Sequence, residues 1–98
     1  MIDLRFVIQH RPGPKWVPNL DFNEQPMVKT HVQYWRTCFY ENKLALGGPF
    51  LDGSGGMVLC HANLSLEDVE RMAENDPAVQ NGLLFFEIKQ WFIAMKES

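Results

Sequence analysis

Cysteine is scarce in this chain of 98 residues: Cys38 and Cys60 lie far apart and form no C-x-x-C spacing. Two such residues do not make a disulfide framework and suit a reducing compartment, so a cytoplasmic location is expected. Long apolar runs are also missing, and none approaches the roughly 20 residues of a membrane span. The opening Met1-Ile2-Asp3-Leu4-Arg5 carries an acid and lacks the apolar stretch of a secretory signal. Basic clusters are absent, with 9 Lys and Arg against 12 Asp and Glu and a formal net charge of −3. That balance argues against a nucleic-acid partner. No His/Cys group has metal-ligand spacing. The glycines make no G-x-G-x-x-G that follows a strand and opens a helix, and no Walker lysine is present. No metal and no cofactor are therefore expected.

What the chain does have is apolar residues in order. At 46% hydrophobic and 12% aromatic it is a globular chain, and residues 1–98 are expected to form one domain. Ile2, Leu4, Phe6, Ile8 and His10 alternate strictly with polar or outward positions, which is the period of a strand. Arg11-Pro12-Gly13-Pro14 breaks it. A long polar connection containing Trp16, Pro18 and Phe22 follows, of the kind often used as a binding loop. Pro26 suits the first helical position. Met27, Val28, His31, Tyr34, Trp35, Cys38 and Phe39 then recur at helical spacing, and Asn42 suits a left-handed helix end.

Leu44 to Phe50 reads as a second strand whose Gly47-Gly48-Pro49 implies an edge or a bulge. Asp52-Gly53-Ser54-Gly55-Gly56 reads as a hairpin connection, and Met57 to Ala62 as the third strand. Ser65 and Asp68 resemble a capping box for a second helix with Leu66, Val69, Met72 and Ala73 on its buried stripe. Pro77 ends or closely follows it. Leu83 to Phe92 is the fourth strand.

The order β-α-β-β-α-β usually builds a ferredoxin-like α+β protomer with an antiparallel four-stranded sheet. In that topology the end of the first strand, the start of the first helix, the middle hairpin and the end of the second helix share one edge. His10, His31, Gly47-Gly48-Pro49-Phe50 and Asp76 are thereby brought together, whereas His61 falls at the opposite edge. Two imidazoles and a carboxylate can move protons near neutral pH, the carboxylate fixing a tautomer and stabilising the imidazolium. Each also has a structural alternative. His31 is also a half-exposed helix residue, His10 a strand end, and Asn-Asp-Pro a common helix-ending turn. Trp16, Trp35 and Phe39 are candidate walls for a flat ring, Trp16 on the loop the better one, and Arg11 a partner for an anionic or phenolate ligand. Trp35 and Phe39, at helical spacing, also read as core or dimer contacts, the favoured reading for both.

The third and fourth strands are apolar at both parities, as in Leu84, Phe86 and Ile88 against Leu83, Phe85 and Trp91. Such strands are covered on both faces. Two helices cover one face only, so a second copy of the sheet is expected on the other. The sequence is silent on assembly beyond that homodimer.

Nearly the whole chain resembles the YCII-related family of the dimeric α/β-barrel superfamily. The resemblance is carried by His31 in KTHVQYW, LALGGPF at 44–50, DGSGG at 52–56, NDPAVQNGLL at 75–84, Trp91 and the opening QHRPGPKW. It implies a ferredoxin-like protomer paired into a dimeric α/β barrel, with a pocket in each subunit and a His–Asp active pair. By motif, that pair is His31 or His10 with Asp76. One activity assigned in the family is cofactor-free dehydrochlorination of a chlorinated hydroxyhydroquinone, and the chain is similar to such an enzyme. The expectation is therefore a lyase of hydroxylated, chlorinated aromatic rings. His10, His31 and Asp76 would be catalytic, with Arg11, Trp16, Gly48, Pro49 and Phe50 holding the aromatic substrate. The alternative is a non-catalytic ligand-binding or accessory protein using the same pocket.

Overall fold

A computed structural model of the protein describes residues 2–97. Four strands form one antiparallel sheet: β1 (Leu4–Pro12), β2 (Leu44–Pro49), β3 (Gly56–Cys60) and β4 (Leu84–Phe92), in the order β2-β3-β1-β4. Helices α1 (Val28–Tyr40) and α2 (Leu66–Glu74) cover one face, and a four-residue helix α3 (Pro77–Gln80) leads into β4. This is the ferredoxin-like α+β fold expected from the order of periodicities. Among the described residues, no helix is long and apolar enough to cross a membrane.

Strand alternation decides the core. Ile8, paired with both Val58 and Ile88, points at the helices with Phe6, Cys60 and Phe86. Trp35 and Cys38 of α1 and Val69, Met72 and Ala73 of α2 close over them. Central β3 is buried along most of its length and central β1 at Val7, Ile8 and His10, whereas β2 is an edge strand with only Leu44 buried. Of the two readings of Gly47-Gly48-Pro49 the edge strand is the one found; those residues pair in regular register, and the strand's bulge lies before them, between Leu44 and Leu46. Ser65 and Asp68 form the capping box of α2, and Asn42 takes the left-handed conformation after α1, with φ 62°.

Two helix boundaries differ from the expected ones. Pro26 does not start α1; the helix begins at Val28 after a left-handed Met27, φ 71°. The cause lies in the buried amide of Gln25. It accepts from the Val17 N–H at 2.9 Å and donates to the Val17 and Leu20 carbonyls, each at 2.8 Å. The loop is thus stapled to itself around a 3-10 turn at Phe22–Glu24, which fixes where the chain can enter the helix. Pro77, in turn, does more than end α2. It is the first residue of α3, and Asp76 is the N-cap of that helix.

One glycine holds the site end of the sheet together. Gly55 has φ 132°, and a Cβ there would lie 1.8 Å from the carbonyl oxygen of His10. Only a residue without a side chain lets the β2–β3 hairpin close on β1 at the point where His10 stands. Gly48, by contrast, faces open space.

Candidate functional site

Asp76 is the centre of the site, and it is fully buried. Its two carboxylate oxygens have separate work. Oδ1 accepts the Ala78 N–H at 2.9 Å, capping α3. Oδ2 accepts from His31 Nδ1 at 2.7 Å and from Trp35 Nε1 at 2.8 Å. The capping role and the site role, read as rivals from Asn-Asp-Pro, therefore coexist on one side chain. His31 and Trp35 reach the same oxygen because they are four residues apart on one face of α1.

Burial by itself would push the Asp76 carboxyl up. The hydrogen bond and charge of His31, with the Trp35 and Ala78 N–H donors, outweigh it and hold the carboxyl below its ordinary range. An ionised carboxylate can only accept, so His31 Nδ1 carries the proton of this hydrogen bond and Nε2 is turned away from Asp76.

His10 stands beside this pair. Its ring makes edge contacts with His31 (5.4 Å, 89°) and Trp35 (5.5 Å, 65°). Burial first, then the charge of His31, push its pKa down to about 4 against the pull of Asp76. His10 is therefore neutral at pH 7. Its Nε2 lies 3.6 Å from Asp76 Oδ2 and has no hydrogen-bond partner. That distance is too long for a hydrogen bond, and with a neutral ring it is no ion pair either.

A cavity of about 640 Å³ lies against His10 and His31, between α1 and the β2–β3 hairpin. Trp35, Phe22 and Phe39 give it aromatic walls, and Gly47, Gly48 and Pro49 supply its edge. Phe22 meets the His31 ring edge-on at 6.2 Å. Asp76 does not line the cavity; it is sealed behind the histidines and Trp35.

Several expected positions fall elsewhere. Arg11 is exposed, with Nη2 3.6 Å from Glu87 Oε1. The strand period explains this, since neighbours His10 and Arg11 must face opposite sides of the sheet. Trp16 is half-buried, packs on the buried cluster of Ala78, Leu83 and Leu84, and does not line the cavity. The long loop reaches the cavity through Phe22 instead. Phe50 is half-exposed beyond the cavity lining, while Gly48 and Pro49 border it. His61 is exposed, pairs with Asn63 and is remote from the site, as its position at the other edge requires. Sequence reasoning missed Trp35 as a partner of Asp76. The available signal was its place one helical turn after His31.

The YCII-related domain family matches residues 4–92. The chain belongs to that family. It is 33% identical over 70 residues to the uncharacterized protein YjpA of Bacillus subtilis, covering 71% of this chain and 80% of the relative. Its fold is similar to that of 5-chloro-2-hydroxyhydroquinone dehydrochlorinase (TftG) from Burkholderia phenoliruptrix AC1100. That structure is a complex with 2,5-dihydroxybenzoquinone. The TM-score is 0.66 at 22% identity, over 89% of this chain and 92% of the other. At that identity the likeness speaks for the fold.

Proposed function

We propose that the protein is a cofactor-independent lyase that removes HCl from a hydroxylated, chlorinated aromatic ring. The observation that carries this is the His31–Asp76 hydrogen bond of 2.7 Å, with neutral His10 alongside, at an aromatic-walled cavity. His31 Nε2 takes a proton from a ring hydroxyl, and Asp76 stabilises the imidazolium that forms. His31 returns a proton to the chlorine-bearing carbon as the ring ketonises. Chloride then leaves with the bonding pair, and a second hydroxyl gives up its proton, yielding a quinone. The carbon that loses chloride gains hydrogen while the ring oxygens become carbonyls, so the electrons balance within the substrate. His10, held neutral, orients the hydroxyl without adding a competing charge.

The test is chloride release and quinone absorbance on mixing the protein with a chlorinated hydroxyhydroquinone, one chloride per quinone. Binding without chloride release replaces the lyase by a ligand-binding protein.

The same reading includes a homodimer. The sheet face away from the helices carries Val7, Met57, Leu59, Phe85 and Trp91, the last two 59% and 45% exposed. Aromatics on an open sheet face favour cover by a second sheet over water. Sedimentation at micromolar concentration is expected to give twice the monomer mass, and a monomer there rejects the barrel. Free, buried Cys38 and Cys60 accord with work in the cytoplasm.

A further inference from the structure

We propose that the ligand of this cavity carries a fixed anionic group, such as a ring carboxylate, held by Arg36 at the end of the ring away from His31. This rests on the reading of the cavity as a small-molecule site, but not on the lyase chemistry.

Arg36 stands apart from the other arginines. Arg5 pairs with Asp3, Arg11 with Glu87 and Arg71 with Asp68, whereas Arg36 makes no ion pair among the described residues. The sequence explains why. Its neighbours on the helix face, three and four residues away, are Val32, Gln33, Phe39 and Tyr40, with no acid among them. Arg36 also lines the cavity, where it is the single lysine or arginine, and no aspartate or glutamate lines the cavity with it. Asp76 is fully buried and already holds three N–H donors, so it cannot serve as counter-ion to Arg36. A cavity with apolar walls, no acid and one unpaired guanidinium selects an anionic ligand, and the planar fork of arginine matches a carboxylate in two-point contact.

The two residues also border the same cavity. His31 and Arg36 are five residues apart on α1, about 7.5 Å along the helix axis and about 140° around it. A ligand with one end at His31 Nε2 and its anion at Arg36 lies across that cavity. Volume is no obstacle: an apolar cavity of about 150 Å³ already accepts benzene, and this one is about 640 Å³. Arg11, the sequence-level candidate for an anion, is engaged with Glu87 on the other face. Arg36 takes its place.

Calorimetric titration of the whole protein with 2,5-dihydroxybenzoate and its neutral isostere 2,5-dihydroxybenzamide tests this. The carboxylate is expected to bind about 10-fold tighter. Arg36→Gln should reduce that preference to within about 2-fold and leave the amide affinity unchanged. Because Arg36 is exposed, raising the salt concentration should weaken the preference as well. Equal binding of both probes by the unaltered protein overturns the proposal. So does a preference that survives Arg36→Gln, or absence of binding by either probe at millimolar concentration. A carboxylate preference in a protein that releases no chloride would uphold Arg36 and reject only the lyase.

Discussion

Asp76→Ala is expected to leave the protein barely folded at 37 °C. The substitution strips the acceptor from three N–H donors, those of His31, Trp35 and Ala78, in a place closed to water. Removing one partner of a buried charged network costs about 3–5 kcal/mol, against a total stability of about 5–15 kcal/mol for a typical protein. Asp76→Asn is milder but not neutral. Its single carbonyl oxygen can cap Ala78 or receive Trp35, and its amide then faces whichever donor is left. The expected cost is about 1–3 kcal/mol, read from the urea midpoint at constant slope.

Activity separates the two roles of the carboxylate. Asp76→Asn and His31→Gln should each lower chloride release by about 10²–10⁴-fold, while His31→Gln leaves the α3 cap intact and, with an amide that still donates, costs less stability than Asp76→Ala. Trp35→Phe provides a further check. It removes the donor that competes for Oδ2, so in the Asp76→Asn background it should recover part of the lost stability. An Asp76→Asn protein as stable and active as the original would show that neither Oδ2 contact matters.

The meeting of His10, His31 and Asp76 was legible because it follows from chain order. Once β1, α1 and α2 are recognised by their periods, the antiparallel sheet leaves one edge for all three residues. Arg11 and Trp16 were not legible at that level. The parity of Arg11 was available in principle, since a strand that points His10 at the helices must point its neighbour away. Trp16 depended on the docking of its loop: Gly13 N–H donates to the Leu83 carbonyl at 2.8 Å and Lys15 N–H to that of Gly82 at 2.9 Å, carrying the indole onto Ala78 and Leu84. No local pattern encodes such a long-range pairing. Trp35 was assigned to the core by its spacing, and it is buried there. Spacing shows where a ring packs, but not where its N–H points.

Acid should reveal His10 before it reveals Asp76. The His10 pKa falls from an ordinary 6.5 to about 4 on folding, because the ring is buried and His31 is close. Above pH 6.5 neither folded nor unfolded protein carries a proton there. Between pH 6.5 and about 4 the unfolded chain binds a proton that the folded chain refuses, so stability falls as pH falls, by up to one proton's slope. Over that window the loss amounts to about 3 kcal/mol. Asp76 acts lower. Its carboxyl is depressed below 3.8, so its stabilisation is complete above that pH and is lost only as pH drops through the folded-state value. His10→Phe isolates the first effect. It keeps a ring between His31 and Trp35, removes the titrating group, and orphans nothing, since Nε2 has no hydrogen-bond partner. Urea unfolding from pH 7 to pH 4 should show stability declining in the original protein and nearly level in His10→Phe. Parallel declines would mean that His10 takes up its proton in the folded state as readily as in the unfolded chain, and the neutral role assigned to it beside the His31–Asp76 pair would fall.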